Sequence, residues 1–304
     1  MAVIDIHAHL FSADKPLPAA ALRDPMWDVS DRIGPGFRRK AEQQELPRIE
    51  SYLEVMDEAG IDVVCVNNVA MTAEGARAIN EFNAEIIAMY PGRMVGLAAV
   101  PLDADEDGAR ELEYAVESLG FLGGKIYPKM QDVPLDAPTM RPVYQAAADL
   151  GVPLLTHTTP FLSGYSGVRG LDWMDHSYDN PGRLLDSGYM EEIPNLKIIF
   201  AHLGGGLAYY KEALVTRRPE LESVFDRLYL DIAPAVAHSA RAVQEAVDAV
   251  GQDHVFFGTD YPWIKLEDVK KCVAHVRDMG LTDETQSAVL GSGAMRILRL
   301  DGAP

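Results

Sequence analysis

Short apolar stretches rich in β-branched residues recur along the chain, and each is about as long as one β-strand. A strand that is buried on both faces has this continuous apolar pattern, because neither face alternates with polar positions. The stretches are Val3–Leu10, Val63–Asn68, Met94–Val100, Phe121–Tyr127, Val152–Thr158, Lys197–His202, Leu228–Ile232 and Val255–Thr259. The pattern therefore predicts eight buried strands.

Segments with helical spacing lie between these strands. In Ile49–Ala59 apolar residues recur at intervals of three and four, and Ala109–Leu119 and Arg241–Val250 have a similar pattern. Many of the predicted helices end at a glycine, which adopts the left-handed conformation that closes a helix C-terminus. These glycines are Gly60, Gly120, Gly151, Gly251 and Gly280. A helix, a glycine and then a buried strand is typical of α/β units.

Eight α/β units in 304 residues fit a closed (β/α)8 barrel, and we expect residues 1–304 to form a single domain of this class. An open doubly wound sheet is the alternative, but it usually has a glycine-rich turn after its first strand. Here the first strand ends in His-Ala-His-Leu-Phe instead. Two connections, residues 11–48 after strand one and residues 159–183 after strand five, are long. Both leave the C-terminal end of the barrel, where active sites form.

The composition excludes several classes of partner. The chain has 27 basic and 46 acidic residues and a net charge of −19, so neither nucleic acid nor an anionic membrane is expected to bind it. No apolar run approaches the length of a membrane span. The two cysteines, Cys65 and Cys272, have no metal-ligand or redox spacing. With no signal peptide evident, we expect a cytoplasmic protein with reduced thiols.

Five side chains that can bind a metal or titrate fall at the ends of predicted strands. His7 and His9 share one face of the first strand, since side chains alternate. His157 lies near the end of the fifth stretch, His202 ends the sixth and Asp260 follows the eighth. Taken alone, His7 and His9 are as readily explained by hydrogen bonds in the core. Together the five side chains predict a metal site at the barrel mouth, with zinc as the first expectation and manganese, iron or cobalt as alternatives.

Several motifs resemble the amidohydrolase superfamily, and more narrowly the branch of aminocarboxymuconate-semialdehyde decarboxylase and related metal-dependent decarboxylases and hydrolases. The motifs are Asp5-Ile6-His7-Ala8-His9, Thr156-His157, Ala201-His202-Leu203-Gly204-Gly205-Gly206 and Gly258-Thr259-Asp260-Tyr261-Pro262-Trp263, together with Pro194-Asn195-Leu196-Lys197 before strand six. The resemblance spans His7 to about Leu298. It implies a distorted TIM barrel, a homodimer and one divalent metal. By matching motifs, His7, His9, His157 and Asp260 are the expected ligands, and His202 and Asp260 the expected catalytic residues.

Three functions remain open at this point. The first hypothesis is a metal-dependent lyase that removes CO2 non-oxidatively from a small aromatic or unsaturated carboxylic acid. The alternative is a metal-dependent hydrolase of a lactone, ester or amide, because the resembling branch contains both kinds of enzyme and the fold does not fix the reaction. A binding protein that keeps the barrel is the third hypothesis, but the intact set of ligands argues against it.

Lys125, in the fourth stretch, departs from the pattern of the decarboxylases. In binuclear relatives a carbamylated lysine at the end of this strand bridges two metals, whereas the decarboxylases commonly lack such a bridge. We favour a different role for Lys125, in which it pairs with a charge or contacts a substrate carboxylate.

The expected substrate is a small, anionic molecule, which needs cationic and aromatic contacts. Arginine suits carboxylates because of its planar fork, and Arg169 in the second long connection is the candidate. Trp173 and Trp263 are the aromatic candidates, with Lys125 as a further contact. His176 and His238 also fall in connections on the C-terminal side, where either can touch a substrate.

Overall fold

The computed structural model describes residues 2–12, 14–33, 36–102, 107–158 and 179–300. Each predicted apolar stretch contains one strand. The strands are β1 (Ile4–Ala8), β2 (Val63–Asn67), β3 (Met94–Ala99), β4 (Gly124–Ile126), β5 (Leu154–Thr156), β6 (Ile198–Phe200), β7 (Leu228–Asp231) and β8 (Val255–Phe256). Every neighbouring pair is parallel, and the eight strands follow one another in chain order.

Backbone hydrogen bonds between β1 and the segment from the end of β8 close the sheet into a barrel. The N–H of Ile6 donates to the carbonyl of Phe257 at 3.0 Å, and the N–H of Asp260 donates to the carbonyl of His7 at 2.8 Å. Because the last strand returns to the first, the sheet has no free edge. The predicted (β/α)8 barrel is confirmed, and the open doubly wound sheet was the wrong alternative.

Helices surround the strands. Before β5 they are α1 (Ala19–Arg23), α2 (Met26–Ile33), α3 (Phe37–Glu42), α4 (Ile49–Ala59), α5 (Ala73–Met89), α6 (Asp107–Leu119), α7 (Pro128–Gln131) and α8 (Met140–Leu150). After β5 they are α9 (Asp179–Ser187), α10 (Tyr189–Glu192), α11 (Leu207–Arg217), α12 (Glu222–Phe225), α13 (Ala240–Val250), α14 (Leu266–Arg277), α15 (Asp283–Ser287) and α16 (Gly293–Ile297). In the described part of the chain, no helix is long and apolar enough to cross a membrane.

The local sequence explains these helices well. The spacing of apolar residues predicts α4 over the same residues that the structure gives, and the helix ends at Gly60 in the left-handed conformation with φ 74°. The first long connection is more regular than its prolines indicate, since it contains α1, α2 and α3. Pro18 stands directly before α1 and Pro25 before α2, where a missing N–H costs no helical hydrogen bond.

The core has two layers. Side chains from six strands meet inside the barrel with residues of α16, forming the cluster Ile4, Ile6, Cys65, Leu97, Leu155, Ile199, Phe256, Ala294, Ile297 and Leu298. A larger cluster lies between the outer face of the sheet and the helices. The inner cluster fills one end of the barrel, so polar side chains that point inward gather toward the other end.

Candidate metal centre

The five predicted site residues come together at one end of the barrel. His7 lies on β1 and His9 directly after it, while His157, His202 and Asp260 follow β5, β6 and β8. Ring centroids are 5.2 Å apart for His7 and His9, 5.4 Å for His7 and His202, and 4.5 Å for His157 and His202. This end is formed by the C-terminal ends of the strands, as the sequence predicts.

A register shift in β1 turns His7 toward this cluster. The pairing of β1 with β2 shifts between Asp5 and Ala8, so the strict alternation that would put Asp5 and His7 on one face is broken. Asp5 accepts a hydrogen bond from the hydroxyl of Tyr52 on α4, outside the barrel. The His7 ring instead faces Asp231 inside the barrel.

His7, His9 and Asp260 each direct one ligand atom toward a common point. These three atoms lie within 4.8 Å of one another, and Asp260 Oδ1 is 3.7 Å from Nε2 of both histidines. Among the described residues this buried oxygen has no hydrogen-bond partner, which is costly unless something else binds it. Two imidazole nitrogens and a carboxylate oxygen fit a divalent metal, which lies about 2.0–2.2 Å from each such ligand.

A hydrogen bond at Nδ1 of each histidine points its Nε2 toward the position of the metal. His7 Nδ1 donates to Asp231 Oδ2 at 2.9 Å, and His9 Nδ1 donates to the backbone carbonyl of Asn67 at 2.5 Å. Since these oxygens only accept, each neutral ring carries its proton on Nδ1 and presents its Nε2 lone pair toward Asp260. Burial lowers the pKa of His7 well below its ordinary value, so this ring is neutral at physiological pH.

The Asp260 carboxylate is held in its charged form. Burial on its own raises its pKa, but the neighbouring rings of His9, His202 and His7 outweigh burial and the pKa lies below the ordinary value. A charged carboxylate is the form in which Asp260 can bind a divalent metal.

Lys125 lies directly beside this group. Its side chain is fully buried, and Nζ is 3.2 Å from His7 Nε2. Burial lowers the pKa of Lys125 to about 8, although Asp231 and Asp260 oppose this shift. The hydrogen bond from Nζ uses the His7 lone pair that a metal would take, so the two compete. The predicted contact of Lys125 with a substrate stays a prediction.

His157 and His202 form a second pair of rings next to the three-residue group. Their Nε2 atoms are 2.9 Å apart, and His202 Nδ1 donates to the carbonyl of Ala233 at 2.5 Å. Tyr127 stacks on His157 at 4.0 Å between centroids, and burial lowers the pKa of His157 well below its ordinary value. His157 therefore lies outside the three-residue group, and its role as a fourth ligand stays a prediction.

The backbone at His202 and Asp260 is left-handed, with φ 56° and 58°, which is uncommon for residues other than glycine. Neighbouring groups hold both conformations. The N–H of His202 donates to Asp231 Oδ1 at 2.9 Å, and the N–H of Asp260 donates to the His7 carbonyl at 2.8 Å. Gly258 lets this segment approach β1, since a Cβ there would lie 3.1 Å from His7 Cβ. Such strained residues concentrate at functional sites.

Asp231 is a site residue that the sequence analysis missed. It ends β7, is fully buried, and accepts hydrogen bonds from His7 Nδ1, the N–H of His202 and the N–H of Ala233. Burial raises its pKa above the ordinary value. One carboxylate thus orients a candidate ligand and the candidate catalytic histidine. A signal was available, because Asp231, like Asp260, is an acidic residue at the C-terminal end of an apolar run.

A pocket opens beside His9. It is lined mainly by apolar and aromatic side chains, with Ser30 and Asn68 among the polar ones, and the aromatic members are Phe11, Trp27, Phe37, Tyr127 and Trp263. Trp263, a predicted substrate contact, is half exposed, and its ring centroid is 5.4 Å from that of Phe37. Among the described residues, neither lysine nor arginine lines this pocket. The predicted contacts Arg169 and Trp173 lie outside the described residues.

His238 does not line the pocket. Its side chain is buried, and its Nε2 has no hydrogen-bond partner within the part of the chain that the structure describes. Burial lowers its pKa to about 4. His176 lies outside the described residues.

Comparison with known proteins identifies the family of this chain and several proteins of similar sequence. The family model described as amidohydrolase matches residues 4–300. Gamma-resorcylate decarboxylase from Polaromonas sp. is 29% identical over 283 residues, which cover 81% of this chain and 85% of that protein. The 2-amino-3-carboxymuconate-6-semialdehyde decarboxylase of Dictyostelium discoideum is 25% identical over 246 residues, covering 74% of this chain and 67% of that protein.

Solved structures share the fold. The crystal structure of a dihydroxybenzoic acid decarboxylase from Polaromonas sp. JS666, with bound manganese and the inhibitor 2-nitroresorcinol, superposes with a TM-score of 0.81. The match covers 99% of this chain and 98% of that chain at 22% identity.

Proposed function

Because the chain belongs to the amidohydrolase family, we propose that it is a metal-dependent enzyme that removes CO2 non-oxidatively from a small aromatic or unsaturated carboxylic acid. Its similarity to decarboxylases of hydroxylated aromatic acids and of a muconate semialdehyde supports this reaction. The observation that carries the proposal is the group formed by His7, His9 and Asp260, in which the buried Asp260 Oδ1 has no hydrogen-bond partner among the described residues.

His7, His9 and Asp260 would hold the metal, with His157 as the proposed fourth ligand. The bound ion supplies a positive charge that polarises a substrate oxygen and compensates the substrate carboxylate. This role fits the pocket, because no lysine or arginine lines its described walls. We expect zinc from the nitrogen-rich ligand set, and the manganese in the Polaromonas structure makes manganese the main competitor.

His202 would handle the proton. Its Nδ1 is fixed to the Ala233 carbonyl, so Nε2 is the atom that can exchange a proton with the substrate or with His157. In the proposed reaction the bond between the ring carbon and the carboxylate breaks, and its electron pair stays on that carbon. The proton that replaces the carboxylate comes from a substrate hydroxyl or a water molecule: His202 Nε2 or the Asp260 carboxylate first accepts it and then gives it to the carbon, and CO2 leaves.

The pocket walls favour a flat, unsaturated substrate. The aromatic rings that line it, among them Phe37 and Trp263, can stack on a planar ring and exclude water from it. We further propose that residues 1–304 form one domain and that the enzyme is a cytoplasmic homodimer. The two cysteines support this location, since both are free and buried.

One observation favours hydrolysis of a lactone, ester or amide as a second candidate. Lys125 Nζ lies 3.2 Å from His7 Nε2, so a carbamylated Lys125 would place a carboxylate at the metal site. Such a group would supply a ligand for a second metal, and a two-metal site suits hydrolysis.

The two candidates are separated by assaying CO2 release from metal-loaded enzyme. The panel is 2,6-dihydroxybenzoate, 2-hydroxybenzoate and a carboxymuconate semialdehyde, with aromatic lactones and esters assayed in parallel for hydrolysis. We expect CO2 release that is lost in His202→Asn and kept in His254→Asn, because His254 lies at the opposite end of β8 from Asp260. Hydrolysis without CO2 release would contradict the proposed function.

A further inference from the structure

The pocket beside His9 is lined by residues from separate parts of the chain. Met26 and Trp27 belong to the first long connection and begin α2. Asn68 and Val69 follow β2. Because these two groups lie on different elements, the position of α2 relative to the segment after β2 helps to set the shape of the pocket.

The buried carboxylate of Asp24 joins the two groups. Its Oδ1 accepts a hydrogen bond from the N–H of Met26 at 2.8 Å, at the start of α2. The same oxygen accepts from the N–H of Met71 at 3.0 Å, just after Val69 in the chain. Oδ2 accepts from the N–H of Thr72 at 3.0 Å and from its hydroxyl at 2.8 Å. With 2% of its surface exposed, Asp24 is held on several sides.

A glycine makes room for this carboxylate at the start of α5. Thr72 caps the helix, since its Oγ1 accepts from the N–H of Gly75 at 3.1 Å. A Cβ added at Gly75 would overlap Asp24 Oδ2. Glycine inside a helix lowers its stability relative to alanine, so this position favours the approach of Asp24 over helix propensity. The start of a helix also attracts negative charge, which suits the carboxylate.

Trp27 connects Asp24 with the pocket. Its backbone N–H donates to the Asp24 carbonyl at 3.3 Å, and its Nε1 donates to the carbonyl of Ala21 at 2.8 Å. Its ring centroid is 6.1 Å from that of Phe11, which also lines the pocket. The segment that Asp24 holds thus carries a fixed aromatic ring of the pocket.

We propose that Asp24 is a positioning residue for substrate binding, because it keeps Met26 and Trp27 in place against the substrate ring. This inference rests on the proposed function, since it concerns the pocket that takes the acid. Asp24 acts through the residues of α2 and not by contact with the acid. The proton transfer assigned to His202 and Asp260 does not involve α2, so loss of Asp24 should weaken binding and spare the chemical step.

The test measures kcat and KM for CO2 release by the metal-loaded enzyme with the acids of the panel above. Asp24→Asn keeps the size of the side chain, but one acceptor oxygen becomes an NH2 group that cannot accept. We expect KM to rise about 10-fold while kcat stays within about twofold of the wild-type value. Asp28→Asn is the matched control on α2, since its exposed carboxylate pairs with Arg38, and its KM should not change.

Gly75→Ala disturbs the same hydrogen bonds from the other side, because the added Cβ displaces the Asp24 carboxylate. We expect a similar rise in KM. Since both changes break one set of hydrogen bonds, the double variant should have about the KM of the weaker-binding single variant. A KM raised by the product of the two single effects would overturn the proposed role of Asp24.

Binding of the same acids, measured by calorimetry, separates this inference from the proposed function. Acid binding that weakens about 10-fold in Asp24→Asn, without CO2 release from any acid, would overturn the proposed reaction and support the role of Asp24. CO2 release with a wild-type KM in Asp24→Asn would overturn the role of Asp24 alone. A fall in kcat with KM unchanged would overturn it too, as would failure of the wild type to bind any of the acids.

Discussion

Asp231 Oδ2 lies 2.9 Å from Nδ1 of His7, and both side chains are fully buried. The carboxylate fixes the proton on Nδ1 and so turns the Nε2 lone pair toward Asp260. Its second oxygen holds the backbone N–H of His202 at 2.9 Å. One side chain on β7 thus connects the candidate metal ligands to the candidate catalytic histidine.

Replacing Asp231 with asparagine should weaken metal binding. The amide can still accept from His7 Nδ1 but lacks the negative charge that makes the ring a stronger ligand, so we expect metal affinity to fall by about 10- to 100-fold. Competition with a chromophoric chelator measures this affinity. Asp226→Asn, at an exposed position just before β7, is the matched control and should bind metal normally. Unchanged affinity in Asp231→Asn would contradict the orienting role.

Replacing His202 with asparagine should abolish most turnover while the metal remains bound. We expect kcat to fall by about 10²- to 10⁴-fold, the range for loss of a general acid or base. His202 lies outside the group of His7, His9 and Asp260, so metal content should match the wild type. Turnover near the wild-type rate would remove His202 from the mechanism, and loss of metal would make it a ligand.

Tyr52→Phe should destabilise the barrel closure. The Tyr52 hydroxyl donates to the fully buried carboxylate of Asp5, which links α4 to β1. Burial raises the pKa of Asp5 to about 6, so at about pH 8 the lost donor leaves a buried charge and should cost about 2 kcal/mol of unfolding free energy.

Tyr144→Phe is the control for this change, because Tyr144 is equally buried but donates to the neutral carbonyl of Leu135. We expect about 1 kcal/mol for this variant in urea unfolding of metal-free protein. Equal losses in the two variants would show that the charge on Asp5 does not strengthen the hydrogen bond.

His238 should make stability depend on pH. Its pKa is about 4 in the folded chain against 6.5 for the free residue, so the unfolded state binds the proton more tightly. This contribution to stability is complete above the unfolded pKa and is lost as pH falls toward the folded pKa. Between about pH 7.5 and about pH 5 the group should remove about 2 kcal/mol of unfolding free energy. Urea unfolding at both pH values measures this loss. The unfolding free energy of His238→Gln should fall by about 2 kcal/mol less than that of the wild type over this pH range. An equal fall in the two proteins would refute the role of His238.

The sequence was sufficient for the fold because the strands are buried on both faces. Each apolar run became one strand, and the glycine after α4 closes that helix as expected. Positions at strand ends were also predictable, since His202 and Asp260 directly follow such runs. These features depend on local pattern and on the fixed direction of parallel strands.

Features that depend on contacts between distant strands were not predictable. Asp231 lies in a short run of its own, and nothing local shows that it meets His7 across the barrel. The register shift that separates Asp5 from His7 depends on pairing with β2. The contact of the buried Lys125 Nζ with His7 also joins distant strands, while the predicted contact of Lys125 with a substrate stays a prediction.

The central claim is that His7, His9 and Asp260 bind one divalent metal. Elemental analysis of protein purified without chelator or added metal tests this claim most directly, with Asp260→Ala and His9→Ala beside the wild type and His254→Asn as control. We predict about one metal per chain in the wild type and the control, and a large loss in the other two variants. No metal in the wild type, even after zinc or manganese is added, would contradict the claim. About two metals per chain would contradict the single site and point to carbamylated Lys125.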